Sequence, residues 1–573
     1  MSKKLVILVF VSLVLASCAR PNVVPTPTAP PPSPTSSATP LPPSLTPKPL
    51  PPTATPTPLP PTATPKPLAL WVDPTTPAAL RDMVVAALPG WVTAAAPEQA
   101  DLRVGPRSSR GLSGALAQWT YALVVPLPMM VEGVKWADVQ RFWAGEAGAL
   151  AEIPGDGKTS PTLFVTRETL AALSRAWGAP SSSAPISVTN PADLVETAWA
   201  ARPRAWGIVP FDELAPKWRV LTLDGANVLD KALDMKSYPL TVIVGAEGKG
   251  VDKLAAALAP KGKPATNRDT EQMTTLVMTG VTALVRGTAA KMEQKGVLYP
   301  AEKIGALLKA ADITHISNEI PFTEECPPPD PKQESLVFCS SPAYMELLRA
   351  VGTDVVELTG NHFQDYGSQA TLDTLEMYRK EGWPYYGGGA NLEEAHRPLV
   401  ITNHGNQLSF IGCNPVGPEY AWATKDRPGA APCDFEYMHG EVSRLKLQGV
   451  LPIVTWQYWE FYFYEATPQQ QLDFRGMVDA GAAIVSGSQA HHPQAIEFYK
   501  DGFIHYGLGN LFFDQMRVLG TRQEVIDRHT IYKGRHISTE LLTYMLEDYS
   551  QPRPMTAEER TELLKAVFKA SGW

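Results

Sequence analysis

The sequence predicts an α/β protein in two globular parts behind a proline-rich leader. Three features carry that prediction. From residue 68 onward, short apolar runs rich in β-branched residues alternate with stretches of helical spacing. The 573-residue chain leaves roughly 500 residues beyond the leader, too many for one ordinary domain. Several of the apolar runs give way within a few residues to Asn, His or Glu, the pattern of strands whose C-terminal loops carry polar side chains.

Taken in order, Lys3 and Lys4 precede an apolar run from Leu5 to Leu15 that is too short to span a bilayer permanently and reads as a processing signal over residues 1–18. It ends in Leu15-Ala16-Ser17-Cys18, which resembles a bacterial lipobox with Cys18 as the lipidated residue. Diacylglycerol plus an amide-linked chain exceeds the two hydrophobic signals that stable anchoring needs, so the expected partner is a membrane and the expected location extracytoplasmic. Residues 19–67 are almost entirely Pro, Thr, Ser, Ala and Leu, and read as a disordered, extended, polyproline-II-like linker.

Residues 69–268 read as a smaller α/β domain with a mainly parallel sheet, with strands at Leu68–Val72, Ala122–Pro126, Thr162–Val165 and Gly207–Pro210. Trp136, Val139, Phe142 and Trp143 have helical spacing and read as core. Gly155-Asp156-Gly157-Lys158-Thr159-Ser160 follows no clear strand and makes a poor phosphate loop. The second domain, residues 270–545, has strands at Thr275–Met278, before Glu319, at Asp354–Leu358, Leu399–Ile401, Leu408–Ile411, Val450–Thr455 and Ala483–Val485. Helices are expected near Ala301–Ala311, Pro342–Val351 and Ser368–Tyr378, and residues 546–573 form a tail with a helix starting near Thr556.

The segment Gly360-Asn361-His362-Phe363-Gln364-Asp365-Tyr366-Gly367 closes one of these strands and offers an amide oxygen and an imidazole side by side, suited to metal binding or proton transfer. With Ser317-Asn318-Glu319-Ile320-Pro321, Trp456-Gln457-Tyr458-Trp459-Glu460-Phe461, Gly487-Ser488-Gln489-Ala490-His491 and Tyr506-Gly507-Leu508-Gly509-Asn510, it resembles the CapA family of poly-γ-glutamate capsule proteins over residues 272–516. The resemblance implies a four-layer α/β/β/α, metallophosphoesterase-like sandwich. It also implies Asn361, His491 and Glu319 as metal ligands, with His362, Glu460 and Asp365 in catalytic roles; Asp365 either orients His362 or caps the next helix. Residues 69–268 resemble, more weakly, periplasmic solute-binding domains of the phosphate-binding type, through Asp138–Gly145, Trp206–Pro210, Asp224-Gly225 and Tyr238–Leu240.

Departures from the family pattern bear on chemistry. Val281 stands where the family has an aspartate, Trp456 where it has a histidine, and Gln489 where it has the first histidine of Gly-x-His-x-His. A two-metal centre needs a bridging carboxylate and several His or Asp ligands, so this set leaves room for at most one divalent ion, manganese or zinc. Two readings therefore stand: a surface metal-dependent phosphoesterase, and a non-catalytic lipoprotein that holds an anionic polymer or its capsule synthesis machinery. A third is a solute sensor. Beyond Cys18 the cysteines are Cys326, Cys339, Cys413 and Cys433, whose proximity suggests the pairs Cys326–Cys339 and Cys413–Cys433, though free thiols remain the alternative. A net charge of −8 gives no reason to expect a nucleic-acid partner.

Overall fold

The computed structural model describes residues 66–107, 115–154, 160–259 and 262–573. Cys18, nearly all of the proline-rich linker and most of the Gly155–Ser160 segment lie outside the described residues. Residues 66–573 pack as one unit.

The first sheet is built around the 12-residue strand Ala115–Pro126, all but two of whose side chains are buried. Thr241–Gly248, Ala205–Pro210 and Trp218–Val220 run antiparallel to it, whereas Thr162–Val165 pairs parallel with both Ala205–Pro210 and Ile186–Val188. The sheet is thus mixed rather than mainly parallel, because its longest strand opposes both of its main neighbours. Val139, Phe142 and Trp143 of the Trp136–Trp143 helix are buried against it, as their spacing requires.

The rest of the chain forms two sheets face to face. One has the order Tyr385-Tyr386, Val355–Glu357, Ile313–Asn318, Met273–Thr282, Gln523–Tyr532, Arg535–Glu547 and Gln551–Pro554, with Asn510–Phe512 beside Met273–Thr282. The other runs Leu399–Asn403, Asn406–Cys413, Leu451–Gln457, Ile484–Ser488, Gly502–His505 and Ile496–Tyr499. Met278, Ile313 and Val355 of the first sheet meet Phe410, Ile453, Ile484 and Phe503 of the second in a shared core. The outer face of the first sheet is covered by Met292, Leu347, Leu348, Leu375 and Tyr378, and that of the second by Met438, Val442, Leu445, Phe474 and Met477. These layers make the α/β/β/α sandwich.

The Gly367–Glu381 helix spans the stretch read from the sequence. The expected helix at 301–311 is shorter, Gly305–Lys309 after a 3₁₀ turn. The C-terminal helix Ala557–Ala570 starts behind a Thr556–Glu559 capping box. It buries Leu563, Leu564, Val567 and Phe568 in the core between the sheets, and Gln551–Pro554 adds a strand edge, so the last residues complete the sandwich.

Candidate functional site

Parallel strands of both sheets deliver the site. Met273–Thr282, Ile313–Asn318 and Val355–Glu357 lie side by side in one sheet, Leu451–Gln457 and Ile484–Ser488 in the other, and the loops after them meet at the same end. Close backbone approach sets two glycines: a Cβ on Gly360 would lie 2.5 Å from the Glu319 carbonyl oxygen, and one on Gly487 would lie 2.0 Å from that of Tyr506. Gly360 is therefore required by packing against Glu319 rather than by a turn.

At the centre is Gln457. Its amide nitrogen donates to Glu319 Oε1 at 2.6 Å, to Asn361 Oδ1 at 3.1 Å and to Gln489 Oε1. Its own carbonyl accepts from Ser488 Oγ at 2.7 Å, which fixes the orientation of the amide. Glu319 is 2 % exposed, and its second oxygen has no protein partner. Gln489 and His491 both hold left-handed backbone conformations, φ 72° and 52°, strain of a kind that clusters at binding sites.

His362 Nδ1 donates to Asp365 Oδ2 at 2.7 Å. Asp365 also accepts from the Phe338 backbone N–H at 2.8 Å and the Tyr420 hydroxyl at 3.0 Å, and its side chain is fully buried. The following helix receives no side-chain cap. Asp365 thus orients the imidazole and does not cap. Burial pulls the His362 pKa down, but the Asp365 hydrogen bond and the charges of Glu319 and Asp365 outweigh burial and the opposing Arg286, so the net shift is upward.

On the other side, His491 Nδ1 donates to Asn510 Oδ1 at 2.7 Å. The His362 and His491 rings lie against Phe338 and Phe513, with centroids 4.6 and 5.1 Å apart, and those two phenylalanines are 6.5 Å from each other. Glu460 lies outside this buried set. It is exposed, accepts from Tyr462 and, at 3.4 Å, from Gln515, and joins His491 only through Gln515 and Asn510. Glu460, expected in a catalytic role, thus lies on the rim of the cleft: the Trp459–Tyr464 stretch is largely exposed. His492 bonds the Pro493 carbonyl, and His505 pairs with Asp527 between the sheets. Cys326–Cys339 and Cys413–Cys433 are disulfides.

Several residues of the site escaped the sequence reading: Gln457, Ser488, Asn510, Tyr420 and Arg286. Trp456, taken there as the altered site position, instead stacks on Phe474 on the helix-covered face, 5.4 Å between centroids. Its neighbour Gln457 is the one that faces the cleft. Adjacent strand residues face opposite sides, so the two side chains part here.

The donor set does not fit a pair of metal ions. Val281 is buried in an apolar cluster with Ala283, Val285, Ile320, Phe338 and Phe513. Among the described residues no group of three or more His, Cys, Asp or Glu side chains is arranged to hold a metal. One oxygen each of Glu319, Asn361 and Gln489 converges on the Gln457 amide nitrogen, which leaves the second Glu319 oxygen as the one carboxylate oxygen here without a protein partner.

Comparison with known proteins bears out the capsule-protein resemblance. Residues 275–515 match the family model described as bacterial capsule synthesis protein PGA_cap. The capsule biosynthesis protein CapA of Bacillus anthracis is 27 % identical over 301 residues, 51 % of this chain and 72 % of that protein. The PGA biosynthesis protein CapA of Bacillus subtilis (strain 168) is 27 % identical over 224 residues, 39 % of this chain and 59 % of that one. Among solved structures, a 5'-nucleotidase precursor from Thermus thermophilus aligns with a TM-score of 0.31 at 15 % identity, covering 52 % of this chain and 58 % of its own. An ABC-type phosphate transport receptor from Vibrio cholerae aligns with a TM-score of 0.27 at 10 % identity, covering 34 % and 93 %.

Proposed function

From the match of residues 275–515 to bacterial capsule synthesis proteins, we propose that this protein acts in the assembly or export of an anionic surface polymer of the poly-γ-glutamate kind. It does so as a lipoprotein anchored through Cys18, with a cleft that binds rather than hydrolyses. One observation carries the last point: the Gln457 amide nitrogen sits among the oxygens of Glu319, Asn361 and Gln489. A two-metal phosphoesterase needs cations there to activate water and stabilise the leaving oxygen. An amide carries no unit charge and cannot lower the pKa of water. Asn361, Glu319 and His491 then serve as a polar floor, with His362 and Asp365 as a charged wall.

The test uses the full chain. After incubation with manganese or zinc and desalting, metal content should stay well below one ion per chain, and hydrolysis of bis(p-nitrophenyl) phosphate should not exceed that of a His362→Ala variant. Two retained ions with a rate that His362→Ala abolishes would restore the hydrolase reading. In cells, Cys18→Ala should move the protein out of the membrane fraction.

A further inference from the structure

We propose that Arg286 is the anion-recognising residue of this cleft and takes a carboxylate of an extended anionic chain. The inference rests on the polymer-binding reading above and deepens it. Arg286 stands just beyond the Met273–Thr282 strand in a left-handed conformation, φ 44°, unusual for a residue with a long side chain. Its guanidinium sits in the corner of two aromatic rings set edge to face, 4.9 Å from the Phe338 centroid and 5.0 Å from that of Phe513. Those are the rings that lie against His362 and His491, so the cation shares its aromatic contacts with both imidazoles of the site.

One bond steers the guanidinium: Nη2 donates to Asp514 Oδ1 at 2.6 Å, while Asp514 Oδ2 accepts from the Gly287 N–H at 2.8 Å. The Arg286 side chain is only 17 % exposed, and its Nε is buried with no protein partner. The charge is paired with Asp514, but a buried donor nitrogen without a hydrogen-bond partner is costly, and an oxyanion drawn to the guanidinium would offset that cost. A groove of about 550 Å³ opens at Arg286 and runs under the Cys326–Cys339 loop, past Pro327, Pro328, Pro329, Ser341 and Tyr366. Glu293 also borders the groove, but its Oε1 is taken by the Tyr344 hydroxyl at 2.7 Å. Phosphate and carboxylate share the oxyanion chemistry. The carboxylates of Asp514, Asp365 and Glu319 around the site favour a monoanion over a dianion, and a groove leading away from a single cation suits a chain with spaced charges.

The experiment is calorimetric titration of the full chain with tetra-γ-glutamate and, separately, with inorganic phosphate at low salt. Arg286→Gln should weaken tetra-γ-glutamate binding about ten- to a hundredfold, the range expected for a lost charge-assisted pair. Asp514→Asn, which keeps an acceptor for Arg286 but removes its neutralising charge, should tighten that binding; this second arm stands even if Arg286→Gln does not fold. Unchanged affinity in both variants, or no binding by the wild type, overturns the proposal. Phosphate bound more tightly than the tetramer, with the same dependence on Arg286, overturns the assignment of a carboxylate chain. Metal-dependent hydrolysis by the wild type would remove the functional reading while leaving the Arg286 dependence of tetramer binding to be judged by its own outcome.

Discussion

The Gln457 amide has two hydrogens to donate, and Glu319, Asn361 and Gln489 present three oxygens to it. Replacing that nitrogen by an oxygen inverts the balance. Gln457→Glu would bury a second carboxylate against Glu319, at a loss of about 3 kcal/mol, the scale of an uncompensated buried charge. A divalent cation could then bridge the two. Manganese should therefore raise the melting temperature of Gln457→Glu and leave the wild type unmoved in fluorimetric melts; equal stabilisation of both would mean that the native cleft already takes the ion. At His362 the controlling partner is Asp365, with two further donors on its carboxylate. Asp365→Asn keeps the shape and removes the charge, so the His362 pKa should fall. An NMR titration of the imidazole reads this directly, and no change would remove Asp365 from its orienting role.

At the scale of elements, the Cys326–Cys339 loop forms the wall of the site. Its Phe338 supplies both the backbone N–H on Asp365 and the ring beneath His362. The bridge spans 13 residues, a closure that stabilises by about 3 kcal/mol in the chain-entropy picture. The double variant Cys326→Ser with Cys339→Ser should lose stability of that order in urea melts. It should also bring the His362 pKa back toward its ordinary value, a readout that a purely distant staple would not move. Much of this geometry was legible beforehand, because Glu319, Asn361 and His491 each follow an apolar run and parallel strands gather such ends. Parity at Gln457 was not. Every residue of Leu451–Gln457 is buried, since helices cover one face and a second sheet the other, so no polar alternation marks which side chains face the cleft. The role of Asp365 was likewise hidden, because Phe338 and Tyr420 reach it from 27 and 55 residues away. Arg286 was passed over because its anchors, Phe338, Phe513 and Asp514, come together only in the fold.

Across the whole molecule, the first sheet's domain is tied to the sandwich by Lys231–Asp312 at 2.6 Å, Arg560–Glu132 at 3.1 Å and a Trp199, Phe498 and Trp573 cluster. Stability of residues 66–573 should then report on buried groups throughout, and the signs of their shifts can be worked out. Burial pushes His315 and His536 down to about 3, and burial with neighbouring His536 and His505 pushes His529 well down. In the unfolded chain these three take protons below about pH 6.5, whereas the folded protein refuses them. Their contribution is complete above that pH and is lost as pH falls. Burial moves Glu357 and Glu524 the other way, so the folded protein keeps protons that the unfolded chain releases above about pH 4.3. These two gain stability as pH falls toward that value. Below about pH 6.5 the three histidines and the two glutamates therefore act in opposite directions, and the decline in stability is shallow. Below about pH 4.3 the glutamates no longer compensate, the lowered carboxyls of Asp312 and Asp548 begin to lose their lysine partners, and the decline steepens. Thermal melts from pH 8 to pH 3 should show a shallow decline and then a steep one, with the break near pH 4.3. His536→Gln removes one of the opposing histidines and should make the limb above the break shallower. A decline that is already steep between about pH 6.5 and 5.5 would show that Glu357 and Glu524 give up their protons in the folded protein.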